Sequence, residues 1–228
     1  LGTRRGRVVS LGPWVVDLRA EVDLDLSQAV ERLRRGGLLA YPTETVYGIG
    51  GACTPDAVEA VRRAKGRSAD KPMLALVSDA GDAPGLVWTE AALELAALFW
   101  PGSVTLVLDD PDGTFPDGVR SPRGTVGVRV SPHPVVAALL AAFQAPLIST
   151  SLNAPGEPPV SSGGEARELL LRLGAEGAML LDAGTLPPSA PSTVVDCTGP
   201  TPVLLRDGAI PIDRLRCAIP EIHGTRID

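Results

Sequence analysis

Short apolar runs of strand character alternate with amphipathic helical patterns from Ser27 to Leu205, and this alternation confines the chain to an α/β fold. Ser27 to Arg35 sets Ala29, Val30 and Leu33 on one helical face and stops at Gly36-Gly37. Leu38 to Tyr41 predicts a strand that runs into Pro42. Thr54-Pro55 supplies an N-cap and a proline at the first helical position, so a helix is predicted from there to about Lys65. Met73–Val77, Val104–Leu108, Thr125–Val130 and Leu147–Thr150 predict further strands, with helices from Thr89 to Phe99 and from Pro134 to Phe143. Asp109 to Arg123, rich in Pro, Gly and Asp, predicts an exposed loop. After a helix over Glu165–Leu173, strands at Met179–Leu181, Thr193–Cys197 and Val203–Leu205 crowd the last third. That crowding predicts a mixed sheet rather than a parallel one. The 228 residues suffice for one substantial core. They divide into an N-terminal extension with a first strand over 1–22, a main domain over 23–210 and a short tail over 211–228.

Composition excludes several classes of function. Cys53, Cys197 and Cys217 are odd in number, far apart and without C-x-x-C spacing, which argues against a disulfide framework or a structural zinc site and fits a reducing, cytoplasmic setting. Leu1 to Arg7 is charged but no secretory apolar run follows it, and no apolar stretch reaches membrane-spanning length. His133 and His223 are the only histidines; His133 lies between two prolines at a predicted helix start and reads as a cap. There is no G-x-S-x-G elbow and no phosphate-binding P-loop. A net charge of −6 with 4% aromatic residues argues against a surface that coats nucleic acid, so any RNA contact is local and weak.

Three stretches gather residues that can do chemistry. The only two lysines, Lys65 and Lys71, fall within eight residues of each other around Arg67, whereas nineteen arginines carry the other positive charge. A lysine ammonium is a compact point charge suited to a single phosphate oxygen. Tyr41 to Gly51 (Tyr-Pro-Thr-Glu-Thr-Val-Tyr-Gly-Ile-Gly-Gly) leaves a strand and reads as a glycine-rich turn where a ligand can approach the backbone. An ordinary strand-to-helix loop would use the same residues. Ser149-Thr150-Ser151-Leu152-Asn153 ends a strand in hydroxyls and an amide, which can read a zwitterion or a phosphate, or can cap a helix.

In order along the chain these elements resemble the YrdC family of threonylcarbamoyl-AMP synthases. The resemblance rests on Tyr41–Gly48, Lys65-Gly66-Arg67 with Lys71-Pro72, Phe99-Trp100-Pro101-Gly102, Val128-Arg129, Ser151-Leu152-Asn153, Ser192–Asp196 and Arg206-Asp207-Gly208. It extends from about Gly36 to Gly208. It implies a twisted mixed sheet with flanking helices around a large open cavity. It also implies condensation of L-threonine, bicarbonate or CO2 and ATP into threonylcarbamoyl-AMP and pyrophosphate, with Mg2+ carried by ATP rather than by a protein metal site. The product would serve threonylcarbamoyl-transferase partner proteins that act on tRNA.

Carried onto this chain, the resemblance implies Lys65 and Arg67 as catalytic groups on the phosphates, at a helix end with their charges facing the cavity. Lys71, Thr125, Asn153, Ser161 and Arg206 would be further ATP contacts, and Thr45, Arg129, Ser151 and Ser192 would bind threonine. Lys71 stands where many longer members have an asparagine, and Leu76 where they have a histidine. Those members also carry a further C-terminal domain, whereas here a short tail follows Gly208. The alternatives are a non-catalytic RNA-binding module of the same fold and a carbamoyl-adenylating domain like that of HypF.

Overall fold

The computed structural model describes residues 13–18, 25–68 and 71–224. Most of the N-terminal extension, including the charged 1–7 stretch, and the last four residues of the tail lie outside the described residues. In chain order the elements are β1 (Trp14–Asp17), α1 (Ser27–Arg34), β2 (Leu39–Pro42), β3 (Tyr47–Ala52), α2 (Pro55–Lys65), β4 (Leu74–Leu76), α3 (Glu90–Phe99) and β5 (Val104–Asp109). They continue with β6 (Thr125–Arg129), α4 (Pro134–Phe143), β7 (Leu147–Ser151), α5 (Gly163–Arg172), β8 (Met179–Asp182), β9 (Thr193–Asp196), β10 (Val203–Arg206) and α6 (Ile212–Ala218). Among the described residues one mixed sheet of ten strands forms, in the order β1-β8-β2-β3-β7-β4-β6-β5-β9-β10. Parallel and antiparallel pairs are mixed across it, as the crowded last third predicted.

Helix starts follow the sequence closely because their signals are local. Thr54 accepts from the amide of Ala57, Thr89 from that of Ala92, and His133 Nδ1 from that of Val135. α5 starts earlier than its apolar pattern suggests, because Ser162 and Glu165 form a reciprocal capping box.

The glycine-rich stretch departs from expectation. Tyr47–Ala52 is not a turn toward a ligand but a fully buried strand between β2 and β7. Its glycines serve strand packing: a Cβ on Gly50 would overlap the carbonyl oxygen of Ile148 on β7. The tail also holds a helix, α6, which places Leu215 in the main core against α3.

Because strand residues alternate between faces, the register sorts the sheet into two environments. Ile148, Ala75, Val128, Leu106 and Val195 are successive cross-strand partners and all enter one core, covered by α2, α3, α5 and α6. On the opposite face α1 and α4 cover only the half around Leu39, Tyr41, Leu76, Leu147 and Met179. The rest of that face carries Gly48, Ser149, Ser151, Leu74, Thr105 and Val194, and it forms the floor of a cavity.

Candidate functional site

The cavity has a volume of about 210 Å³ and is walled by the β2–β3 turn, Arg67, the end of β6 and the segment Pro191–Ser192. It adjoins a second hollow of about 490 Å³, with which it shares Pro72, Leu74, Thr105 and Val194. The turn is shaped by Thr43. Its hydroxyl donates to the Val46 carbonyl at 2.7 Å and accepts from the amides of Thr45 and Val46 at 3.3 and 3.2 Å. This wrapping holds Thr45 at the cavity wall with its hydroxyl 3.1 Å from that of Thr43.

Three guanidinium groups line the cavity. Arg67 is fixed by the carbonyls of Lys71 and Pro72, each at 3.0 Å. Arg206 donates through Nε and Nη2 to the Ser192 carbonyl at 3.0 and 2.7 Å, and through Nη2 to the Ser192 hydroxyl at 3.1 Å. That hydroxyl also pairs with Thr105 at 2.9 Å. Arg129 ends β6 and is buried, with Nη1 3.7 Å from Glu44 and with Nε lacking any hydrogen-bond partner. Burial pulls the Arg129 and Arg206 pKa values below the usual arginine range, and the charge of Arg129 pulls Arg206 further. Two like charges are therefore held close together beside an open space, an arrangement that suits an anionic ligand. Burial pushes the Tyr41 phenol beside this floor up to about 12, so it stays neutral.

Of the residues expected from the sequence, Thr45, Arg67, Arg129, Ser151, Ser192 and Arg206 meet around this cavity. Lys65 does not face it as expected. It ends α2, but it is only 5% exposed and its ammonium donates to the Ser151 carbonyl and, at 2.8 Å, to Asn153 Oδ1. Burial, with the like charge of Arg67, draws its pKa down to about 8. The reason is tertiary: the end of β7, 86 and 88 residues along the chain, presents the Ser151 carbonyl and the Asn153 amide oxygen, and both accept from the ammonium.

Asn153 also accepts from the Ser151 hydroxyl at 2.8 Å and donates to the carbonyls of Ala154 and Glu157, so it is bound into the strand end and does not line the cavity. Thr125 lines the second hollow and shares its hydroxyl with Ser121 at 2.8 Å. Ser161 lies at the start of α5 with its amide on Glu165, and it lines neither hollow. Lys71 is exposed and Leu76 is fully buried under α4. Sequence reasoning gave no individual role to Thr43 and Thr105 in the wall or to Glu44 behind it, and Ser149, also in the wall, was seen only as part of the hydroxyl-rich end of β7. Thr43 and Glu44 were visible only as members of a polar stretch.

Among the described residues no group of three His, Cys, Asp or Glu side chains is gathered where it could hold a metal ion. None of their helices is long and apolar enough to cross a membrane.

Residues 31–208 match the Sua5/YciO/YrdC family model, which bears the description telomere recombination. The threonylcarbamoyl-AMP synthase of Bacillus subtilis is 35% identical over 92% of this chain, which spans 62% of that relative's length. A putative threonylcarbamoyl-AMP synthase of Mycobacterium tuberculosis is 39% identical over 82% of this chain and is matched over 85% of its own length. The crystal structure of P. abyssi Sua5 complexed with L-threonine superposes with a TM-score of 0.85 at 32% identity, covering 92% of this chain and 62% of that one. Full-length HypF, at 18% identity and a TM-score of 0.70 over 83% of this chain and 30% of its own, shares the fold.

Proposed function

The chain belongs to the Sua5/YciO/YrdC family, and on that premise we propose that it is a nucleotidyltransferase making threonylcarbamoyl-AMP from L-threonine, bicarbonate or CO2 and ATP. The observation that carries this reading is the convergence of Arg129, Arg206 and Arg67 on one hydroxyl-lined cavity. Such a site neutralises a carboxylate and phosphates together while reading a small polar side chain. The threonine complex of P. abyssi Sua5 supports an amino acid as one occupant.

In this reading Arg129 takes the threonine carboxylate as a fork, and Thr45, Ser151 and Ser192 surround the side chain. The amine adds to CO2, or to bicarbonate with loss of water, and gives a carbamate. A carbamate oxygen then attacks the α-phosphorus of ATP, the bond from that phosphorus to the bridging oxygen breaks, and pyrophosphate leaves. No protein nucleophile is required. The chain's contribution is placement and charge neutralisation.

Arg67 faces the departing pyrophosphate. Lys65 fixes the β7 terminus and supplies positive potential from behind Ser151. The second hollow, with Thr125 on its wall, receives the nucleoside, and Asn153 acts on this site only through the Ala154 and Glu157 carbonyls it holds, whereas Ser161 lines neither hollow. Mg2+ enters with ATP as part of that substrate, since the side chains around the cavity are cationic or neutral and offer no carboxylate cluster. The acyl adenylate then passes to a transferase that modifies tRNA.

Mass spectrometry of the products from Mg2+, ATP, threonine and bicarbonate tests this. Threonylcarbamoyl-AMP with an equal amount of pyrophosphate is expected, and their absence would refute it. Turnover only when carbamoyl phosphate replaces threonine and bicarbonate would point to HypF-type chemistry instead.

A further inference from the structure

Glu44 lies in the tight turn between β2 and β3, yet its carboxylate takes no part in that turn, which wraps around the Thr43 hydroxyl. The carboxylate instead reaches two serines at the ends of other strands. Oε1 accepts from the Ser103 hydroxyl at 3.2 Å, next to β5, and Oε2 accepts from the Ser131 hydroxyl at 2.5 Å, just past β6. Oε1 also lies 3.7 Å from Nη1 of Arg129. These partners are 59 and 87 residues away in sequence for the two serines, so the fold as a whole determines where the carboxylate sits. Its side chain is 14% exposed and it does not line the cavity. A direct contact with a cavity ligand is therefore not its task.

The two hydroxyl bonds fix the carboxylate before Arg129 is considered. With Oε1 held, Nη1 of Arg129 is drawn to that side of the guanidinium. The edge left over is the one formed by Nε and Nη2, and Nε is the buried donor that has no partner. A buried N–H without an acceptor is costly, and a carboxylate oxygen arriving from the cavity removes the cost. The edge through Nε and Nη2 presents two parallel N–H bonds, which is the geometry a carboxylate accepts bidentately. The negative charge of Glu44 also offsets the repulsion between Arg129 and Arg206, so both can remain charged at the same cavity.

We propose that Glu44 is a positioning residue. Anchored by Ser103 and Ser131, it turns the Nε–Nη2 edge of Arg129 toward the amino-acid carboxylate and so sets the affinity for the amino acid without touching it. The proposal rests on the reading of Arg129 as the carboxylate clamp. A misplacement of about 1 Å at a positioning group costs up to about a hundredfold.

The test is steady-state kinetics with threonine and ATP varied separately, for Glu44→Gln, Glu44→Asp, Arg129→Lys and the double variant Glu44→Gln/Arg129→Lys. Glu44→Gln should raise the threonine KM about tenfold to a hundredfold, with the ATP KM and the kcat at saturating threonine within about twofold of the parent. Glu44→Asp should recover part of the loss. In the Arg129→Lys background the Glu44 change should add little, because the group it positions is already altered. Loss of kcat, an equal rise in the ATP KM, or full additivity in the double variant would overturn the proposal. A raised threonine KM in Arg129→Lys beside a parent-like Glu44→Gln refutes the positioning role alone, whereas an unchanged threonine KM in Arg129→Lys refutes the clamp itself and the proposal with it. Should Glu44→Gln fail to fold, Ser131→Ala removes the shortest anchor only. It should show the same threonine-specific rise in weaker form, and parent-like kinetics there would also overturn the proposal.

Discussion

Replacing Lys65 with Met should make the stability gap between parent and variant depend on pH, in a window set by this one lysine. Burial, then the neighbouring charge of Arg67, brings the Lys65 ammonium from an ordinary 10.5 down to about 8 in the folded chain. With the folded value below the unfolded one, the unfolded chain binds more protons between those two pH values. The parent therefore gains stability as pH rises through the window. Below about 8 both states carry the charge and the folded state bears the full penalty, whereas above about 10.5 both are neutral and the penalty is gone.

The displacement corresponds to about 3 kcal/mol, taken as an order of magnitude. For a domain of this size that is a shift of about 5–10 °C in Tm. A neutral amine still has two N–H bonds for the Ser151 carbonyl and Asn153 Oδ1, so deprotonation leaves both contacts in place. Met cannot titrate, and every other titrating group is common to the two proteins and cancels in the difference. Urea unfolding of both at pH about 7.5, 9 and 10.5 measures the gap across the window. The parent should gain on the variant at each step. A flat gap would show that the lysine is not held in a medium that disfavours its charge. A gap that shrinks would show the opposite, an ammonium stabilised by its two oxygen partners.

Gly50→Ala should cost about 3 kcal/mol or more, because the new methyl overlaps the Ile148 carbonyl oxygen within a paired strand; an unchanged urea midpoint would contradict this. Ser162→Ala should cost about 1 kcal/mol by removing the capping box of α5 and leave kcat alone, as urea unfolding and turnover together would reveal. For substrate choice, kcat/KM should fall from threonine to serine to valine, since valine leaves the hydroxyls of Thr45, Ser151 and Ser192 unpaired while serine loses only a methyl contact worth about 1–3 kcal/mol. Valine turning over as well as serine would show that those hydroxyls do not read the side chain.

The parts of this molecule that sequence disclosed are those whose causes are local. Thr54-Pro55, Thr89 and His133-Pro134 each start a helix through a bond made within three residues, and the periods of α1 and α4 mark their buried faces. Tyr47–Ala52 was misread because glycine disfavours a strand locally, and only the approach of Ile148 from β7 explains its presence. Lys65 was placed correctly at the end of α2, but its direction depends on a carbonyl and an amide 86 and 88 residues away. Glu44 escaped notice for the same reason. The arginines were legible as a set through the order of motifs, whereas the placing of Arg129 and Arg206 on a single cavity follows from the pairing of β6, β5, β9 and β10.

β7 serves two masters at alternate positions, with Ile148 in the main core and Ser149 and Ser151 on the cavity floor. Substitutions at Ser149 and Ser151 can thus retune what the cavity accepts while the hydrophobic interior stays as it is. A single inserted or deleted residue is another matter. It would carry an isoleucine into the cavity and a serine into the interior in one step, and would break the pairings with β3 and β4 as well. This strand is therefore open to point change and closed to change in length, so its length should stay fixed in any redesign that alters the amino acid taken.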